Sequence, residues 1–271
     1  MNILAVCTGN TCRSPIIMAL VKKLYPDFCV DSAGIYALTE KVSENAVLAL
    51  KEEDIDISGY VSKPLTKELI SKADIILTAT EEHKAFIEAI EKNKKIISLN
   101  CPDPYGAPLD VYIKTKNYLL QKLKEIFLIK RFSNKDVPAK ELSEIEKECF
   151  SAPWSEESFK SAQNTSFYVY FINDEPVGYV GIYTVLDEGY ITNIAVKKAC
   201  RNKGVAKSLL KEIISVNNGL SFISLEVRKS NTPAIKLYEK FNFIKKGERK
   251  NFYSTPPEDA LILTYFYGEN L

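Results

Sequence analysis

A cysteine and an arginine with the chemistry to attack and bind a phosphate lie near the start of the chain. Cys7 opens the run Cys-Thr-Gly-Asn-Thr-Cys-Arg, which ends at Arg13 and continues into Ser14 and a proline. An arginine guanidinium binds two phosphate oxygens at once, and a thiol in a positive field becomes a nucleophilic thiolate. Ser14 can donate a hydrogen bond to the Cys7 sulfur. The run therefore predicts a phosphate site with a cysteine nucleophile.

The elements around this run place it at the start of a helix. Ile3–Val6 is an apolar stretch that predicts a buried strand, and the pattern of Ile16–Leu24 predicts a helix. A helix N-terminus offers unpaired backbone N–H groups and the positive end of the helix dipole. Gly9 and Asn10 tolerate the left-handed backbone that a phosphate loop needs. The predicted phosphate-binding residues are Thr8, Gly9, Asn10, Thr11, Cys12 and Ser14.

This run resembles the signature of the low-molecular-weight protein tyrosine phosphatases, in which a cysteine, five residues and an arginine precede Ser/Thr-Pro. The resemblance covers about residues 1–130 and includes Asp103 with the proline after it. In that family an Asp-Pro pair late in the domain carries the general acid. The resemblance thus implies that Cys7 is the nucleophile, Arg13 the phosphate ligand and Asp103 the general acid. The stretch before Asp103 is shorter than in many members, so whether Asp103 reaches the leaving group stays open.

Thr11 bears on which phosphorylated residue is the substrate. Tyrosine-directed members of the family carry a bulky aliphatic residue at this position, whereas the run around Thr11 resembles the protein arginine phosphatase branch. The resemblance implies a phosphorylated protein as the substrate. Phosphoarginine and phosphotyrosine both remain open as the group that is cleaved.

The composition is typical of a globular protein without strong charge. The 271 residues are 46% hydrophobic and 26% charged, and the formal net charge is +1, so nothing indicates nucleic acid or a membrane as a direct partner. No apolar run approaches the roughly 18 residues of a membrane span, and we expect no signal peptide before the first strand. The six cysteines lack Cys-x2-Cys spacing, and His83 is the one histidine, which argues against a metal site or a Ser-His-Asp triad. We therefore predict a cytosolic, metal-free protein.

Two different patterns divide the chain. Strands and helices alternate up to a long helix predicted at Leu109–Leu128, which indicates a parallel sheet covered by helices. A run of mixed charge without a clear period follows. The later part begins with two helices and continues with strands in series from Phe167 onward, with further helices between them, which predicts a mostly antiparallel, mixed sheet. The predicted fold class is α/β, with domains at residues 1–131 and 132–271.

A second strand, turn and helix N-terminus occur in the later part. Ile194-Ala195-Val196 end a predicted strand, and a turn from Arg201 to Ala206 leads into a helix predicted at Gly204–Val216. Backbone N–H groups in such a turn can hold a pyrophosphate. The N–H groups predicted to hold it are those from Lys203 to Ala206, and the wider set of residues predicted to bind a cofactor here is Ile194, Ala195, Val196, Arg201, Asn202, Lys203, Gly204, Val205 and Ala206.

This segment resembles the Arg/Gln-x-x-Gly-x-Gly/Ala motif of the GNAT superfamily of N-acetyltransferases, and the resemblance covers about residues 132–267. Further segments are similar to the RimI-type ribosomal-protein-alanine N-acetyltransferases: Ala152–Ser155, Asn193–Val196, Leu225–Arg228, Ala234–Glu239 and Arg249–Tyr253. The resemblance implies acetyl-CoA as the cosubstrate and a protein N-terminus, with a ribosomal protein as one candidate, as the acceptor.

The resemblance also assigns roles to three residues of this domain. Glu226 matches the general base, which removes a proton from an amine whose usual pKa is about 8. Tyr238 matches the acid that protonates the departing CoA thiolate, and Asn231 matches a cosubstrate contact. The sequence thus predicts a bifunctional enzyme, a protein phosphatase fused to an N-acetyltransferase. The alternative is that only the acetyltransferase is active and the phosphatase-like half is a phosphate-dependent binding module.

Overall fold

The computed structural model describes residues 1–268 and divides the chain into two compact units, one from Met1 to Phe127 and one from Leu128 onward. Within the described residues the strands are β1 Asn2–Cys7, β2 Cys29–Gly34, β3 Ile75–Thr78, β4 Lys95–Ser98, β5 Phe127–Ser133, β6 Thr165–Ile172, β7 Glu175–Val185, β8 Glu188–Val196, β9 Phe222–Arg228, β10 Ile244–Ser254 and β11 Pro257–Phe266. The helices are α1 Arg13–Leu24, α2 Glu44–Lys51, α3 Lys67–Lys72, α4 Glu81–Ile90, α5 Leu109–Ile126, α6 Ala139–Cys149, α7 Glu156–Ser161, α8 Val205–Val216 and α9 Thr232–Glu239. The predicted domain boundary after residue 131 lies inside β5. The last three residues of the predicted second domain, 269–271, lie outside the described part.

A four-stranded parallel sheet forms the centre of the first unit, with the strand order β2-β1-β3-β4. Strand β1 is central because its residues from Ile3 onward are apolar and buried, as a strand covered on both faces requires. Helix α1 follows it and is buried from Arg13 to Val21, and its last turn carries two lysines that complement the helix dipole. The carboxyl end of β1 therefore opens at the middle of the sheet edge, where parallel sheets bind ligands. The predicted parallel sheet covered by helices is confirmed.

The end of β2 fits closely against the loop that follows β1. Gly34 pairs with Cys7 across the two strands. A Cβ atom built on Gly34 would lie 2.6 Å from the backbone oxygen of Thr8 and 2.8 Å from the backbone nitrogen of Asn10. Only a glycine allows this approach, so the sheet itself shapes the loop between Cys7 and Arg13.

A seven-stranded mixed sheet forms the second unit, with the order β10-β11-β9-β8-β7-β6-β5. Strands β8 and β9 are parallel, and their pairing runs from Glu188 and Phe222 to Tyr190 and Ser224. Both strands continue beyond this point, β8 to Val196 and β9 to Arg228. The two strands therefore diverge and leave a cleft in the sheet, which is the feature that the second site uses. The predicted mixed sheet is confirmed.

The strand β5 is the one element that the sequence pattern assigned wrongly. The pattern predicted a helix up to Leu128 and then a linker, but α5 ends at Ile126 and residues 127–133 form an edge strand. The apolar Phe127 and Leu128 continue the spacing of the preceding helix, and a short apolar run suits either type of element. Pairing with β6 decides the outcome. Among the described residues no helix is long and apolar enough to cross a bilayer.

Candidate active sites

The Cys7 sulfur lies at the floor of the loop between β1 and α1, where it accepts one backbone hydrogen bond and contacts one hydroxyl. The backbone N–H of Asn10 donates to Sγ over 3.3 Å, and the hydroxyl oxygen of Ser14 lies 3.0 Å from it. Cys7 is buried, with 3% of its surface exposed. A sulfur in contact with a backbone N–H and a hydroxyl at the start of a helix is placed as a nucleophile would be.

The side chain of Asn10 holds this loop in place. Its backbone has a φ of 56°, and its side chain is fully buried. The Nδ2 group donates to the hydroxyls of Ser14 and Ser32 over 2.8 and 2.9 Å. The Oδ1 atom accepts from the hydroxyl of Tyr60 and from the backbone N–H of Lys63 over 2.8 and 2.9 Å. All four hydrogen-bonding positions of the amide are used, which fixes the loop without any ligand.

Arg13 meets Asp103 at the mouth of the loop. The Arg13 side chain is 7% exposed, and its Nη2 atom lies 2.5 Å from Oδ2 of the half-exposed Asp103. The short stretch before Asp103 is tied to the carboxyl end of β3, because the N–H groups of Leu99 and Cys101 donate to Thr78 and Ala79 over 2.8 and 2.7 Å. The structure therefore brings Asp103 to the loop in spite of the short connection. Thr11 lies partly exposed in the same loop.

His83, to which the sequence analysis gave no role, also reaches the loop. Its Nε2 atom lies 2.9 Å from Oγ1 of Thr8, and its Nδ1 atom lies 2.6 Å from Oγ1 of Thr80, the residue that caps α4. Burial and then the charge of Arg13 lower the pKa of the imidazole below its ordinary value. The spacing Thr80-x-x-His83 at a helix start was visible in the sequence, but it did not show which residue the ring faces.

The cleft between β8 and β9 opens into a cavity of about 740 Å³. Nine of the ten residues predicted to contact the cosubstrate line it, and Lys203 does not. The nine are Ile194, Ala195, Val196, Arg201, Asn202, Gly204, Val205, Ala206 and Asn231. A further open groove of about 790 Å³, between α1 and residues 53–60, contains none of the predicted site residues.

The turn before α8 has the geometry of a pyrophosphate cradle. Gly204 caps the helix with a φ of 86°, and a Cβ atom on it would meet nothing within 4 Å. The first N–H groups of a helix have no acceptor within the helix, and Val205 and Ala206, the first two residues of α8, line the cavity of about 740 Å³. Arg201 braces the turn, because its Nε atom donates to the carbonyl of Val196 over 3.2 Å. These features fit the diphosphate of acetyl-CoA.

A second cavity, of about 540 Å³, lies on the other side of the same cleft and meets the first. Six residues line both: Cys149, Phe150, Ile194, Asn231, Ala234 and Tyr238. Tyr238 is 4% exposed at this junction, and burial raises the pKa of its hydroxyl above the ordinary value, so the hydroxyl keeps its proton. Asn231 also has a structural task, because its Oδ1 atom accepts the N–H of Ala234 at the start of α9.

Glu226 lines the second cavity and carries an ion pair. Its Oε1 atom lies 2.8 Å from Nη1 of Arg249, and its side chain is 32% exposed. The ion pair was not predicted. In this pair Arg249 occupies one oxygen of the carboxylate. The proton transfer predicted for Glu226 would use the other oxygen, a bridging water or an opened ion pair.

Glu146 is a buried carboxylate in the same region that the sequence did not single out. It is 0% exposed and lines the second cavity. It accepts hydrogen bonds from the hydroxyl of Tyr179, from Nδ2 of Asn193 over 2.9 Å and from the backbone N–H of Trp154 over 2.9 Å. Glu146 thus joins α6 to two strands and to the segment before α7.

Comparison with known proteins gives one family for the unit that contains Cys7 and another for the unit that contains the Gly204 turn. Residues 2–134 match the family described as Low molecular weight phosphotyrosine protein phosphatase, and residues 139–243 match the Acetyltransferase (GNAT) family. The chain belongs to both families, one in each unit, which confirms both resemblances. It is a fusion of a low-molecular-weight phosphatase domain and a GNAT acetyltransferase domain.

Three relatives show which branches are similar. A Protein-arginine-phosphatase of Bacillus subtilis (strain 168) is 36% identical over 142 residues, which are 46% of this chain and 94% of that protein. A protein of the same organism, assigned as a ribosomal protein bS18-alanine N-acetyltransferase, is 37% identical over 126 residues, 44% of this chain and 83% of that protein. The low molecular weight protein-tyrosine-phosphatase PtpB of Staphylococcus aureus is 37% identical over 138 residues, 46% of this chain and 99% of that protein.

Proposed function

We propose that the first unit is a cysteine-dependent protein phosphatase that acts on phosphoarginine. The observation that carries the phosphatase activity is the Cys7 sulfur, held by the Asn10 N–H and the Ser14 hydroxyl, in a loop that ends on the buried Arg13. The thiolate attacks phosphorus while Arg13 and the loop N–H groups hold the oxygens. The sulfur–phosphorus bond forms and the bond to the leaving group breaks. Arg13 exchanges its contact with Asp103 for the phosphate oxygens, and Asp103 is then the group proposed to supply the proton that the leaving group needs. Water then attacks the phosphorus of the phosphocysteine and gives a proton to Asp103, the sulfur–phosphorus bond breaks, and inorganic phosphate and the Cys7 thiolate are released.

The preference for phosphoarginine rests on the small polar Thr11 and on similarity to the Bacillus subtilis arginine phosphatase. Similarity to the Staphylococcus aureus tyrosine phosphatase supports the competing substrate, phosphotyrosine. Phosphoarginine and phosphotyrosine peptides of one sequence, offered to the purified protein, separate these proposals. We expect Thr11→Ile to favour the aromatic substrate because it adds apolar bulk. Thr11→Val keeps the size of the side chain and removes the hydroxyl, so it separates the effect of the Thr11 hydroxyl on substrate preference from the effect of side-chain size.

The test of the mechanism compares two cysteines of one loop. Cys7→Ser should abolish turnover, because an alcohol is not held as an anion near neutral pH, and should keep phosphopeptide binding. Cys12→Ser is the matched control, since it keeps the backbone N–H with which this loop residue would hold phosphate, and the Cys12 sulfur instead contacts the hydroxyl of Tyr112 over 3.3 Å. If the wild-type protein binds phosphopeptides without cleaving them, the first unit is the phosphate-dependent binding module of the alternative reading.

The second unit, in the same proposal, is an acetyl-CoA-dependent acetyltransferase for a protein N-terminus. The observation that supports this activity is that Tyr238 lines two adjoining cavities, one of which includes the turn at Gly204. Acetyl-CoA supplies the acetyl group as a thioester. The N-terminal N–H groups of α8 hold its diphosphate, Glu226 receives the proton of the acceptor amine, and Tyr238 donates a proton to the thiolate that leaves. A ribosomal protein with an N-terminal alanine is the proposed acceptor, by similarity to the assigned Bacillus subtilis enzyme.

The full-length protein with acetyl-CoA and an Ala-starting peptide of ribosomal protein bS18 tests this activity. Tyr238→Phe should lower kcat about 100-fold, the usual scale of general acid–base catalysis, with little change in peptide binding. Tyr265→Phe is the control, because Tyr265 is outside the lining of both cavities. Glu226→Gln should lower kcat most at neutral pH and recover where the amine is already neutral. An unchanged pH–rate profile would place the base elsewhere. That the protein is cytosolic and uses no metal stays a prediction.

A further inference from the structure

The imidazole of His83 lies in a chain of hydrogen bonds that ends at the phosphate loop. Thr80 contacts Nδ1 over 2.6 Å, and Thr8 contacts Nε2 over 2.9 Å. The same Thr8 oxygen accepts a hydrogen bond from Nη2 of Arg13 over 3.4 Å. His83 is 6% exposed, whereas Thr8 is exposed at the face of the loop. The ring is therefore one side chain away from the place where an anion would bind.

Burial and the nearby charges together lower the pKa of His83. Arg13 on α1 opposes protonation, while Glu82 on α4 and Asp103 before α5 favour it. Burial is the largest influence, and the pKa of His83 is lowered overall. A phosphate dianion bound at Arg13 would reverse this balance, because a negative charge within about 4–6 Å favours the charged form of a base.

Protonation of His83 changes what the Thr8 hydroxyl can do. A neutral imidazole accepts a hydrogen bond at one nitrogen, so the Thr8 hydroxyl can donate its single proton to Nε2. An imidazolium donates at both nitrogens, and Thr8 must then accept from Nε2. Thr8 also accepts from Arg13, so both lone pairs are occupied and its proton is released to point at the loop. The exposed position of Thr8 places that proton on the anion side.

We propose that His83 is a positioning residue that takes up a proton from solvent when a phosphate dianion binds in the loop and thereby turns the Thr8 hydroxyl toward that anion. The inference rests on the proposed phosphatase function, since it needs anion binding between Thr8 and Arg13. It predicts that anions bind more tightly as the pH falls through the titration range of His83.

The experiment uses NMR of the full-length protein, in which His83 is the one histidine. The ring Cε1–H signal is titrated between about pH 5 and pH 8 with and without sulfate, which remains a dianion over this range. The backbone amide signals of Gly9 and Thr11 report in the same samples whether sulfate enters the loop. We expect sulfate to shift the amides and to raise the pKa of His83 by about one unit.

A binding titration supplies the matched control. In a Cys7→Ser background, where no thiolate titrates, sulfate should bind about tenfold more tightly at the acidic end of the range than at the basic end. The added substitution His83→Gln keeps a hydrogen-bonding side chain but cannot take up the proton, so it should remove this dependence. Amide shifts with an unchanged His83 titration, or equal pH slopes in both variants, would overturn the role of His83 and leave the phosphate site intact. Absence of amide shifts would overturn the phosphate site and the inference together.

Discussion

Replacing Asn10 with alanine should destabilise the first unit more than any effect of backbone conformation can explain. The substitution removes four hydrogen bonds from a fully buried side chain. Ser14, Ser32 and Tyr60 have other partners nearby, whereas the N–H of Lys63 loses its acceptor. A buried group left unpaired costs about 1–3 kcal/mol, so the Lys63 N–H alone gives about 1–3 kcal/mol. The left-handed backbone adds about 1 kcal/mol, because asparagine adopts this conformation more readily than alanine does.

Asn100→Ala is the matched control because it isolates the backbone effect. Asn100 also has a positive φ, 48°, but its side chain is exposed and pairs with the hydroxyl of Ser98. We expect this control to cost about 1 kcal/mol. Hydrogen exchange of the β1 and β3 amides, measured by mass spectrometry, gives the free energy of opening for the first unit. Fluorescence of Trp154, the one tryptophan, reports on the second unit and should be unchanged in both variants. Opening energies within about 1 kcal/mol of each other would refute the reasoning about the Asn10 amide.

Three further substitutions test contacts that the structure makes specific. Gly34→Ala should displace the phosphate loop and lower phosphatase activity, since its Cβ would lie 2.6 Å from loop backbone, whereas Gly59→Ala meets nothing within 4 Å and should be neutral. Glu146→Gln should lower the stability of the second unit by about 1–3 kcal/mol in a thermal melt, because three donors face the carboxylate. The exposed Glu144→Gln on the same helix should be neutral. Gly204→Glu should raise the Kd for acetyl-CoA at least tenfold in calorimetry, because it places a side chain and a repelling charge in the turn. An unchanged Kd would show that this turn does not bind the diphosphate.

The chemistry of the phosphate loop is determined by the sequence because its parts are consecutive. Cys7, the loop and Arg13 form one strand, turn and helix start, and local hydrogen bonds together with periodicity decide such a unit. The same holds for the turn at Gly204, whose positive φ suits glycine. Both families and both sheet types were therefore predictable. The boundary at residue 131 stays a prediction, and the strand type of residues 127–133 was missed because a short apolar run fits two structures.

The tertiary structure alone decided which distant groups complete the sites. Thr8 and His83 are 75 residues apart, and Glu146 and Asn193 are 47 apart, so no local pattern relates them. Asp103 reaches Arg13 because two backbone hydrogen bonds tie its short connection to the end of β3. The ion pair of Glu226 with Arg249 depends on the strand β10 lying near the cleft. The residue types of these groups are written in the chain, but their distances, their burial and hence their protonation come from long-range packing of sheets and helices.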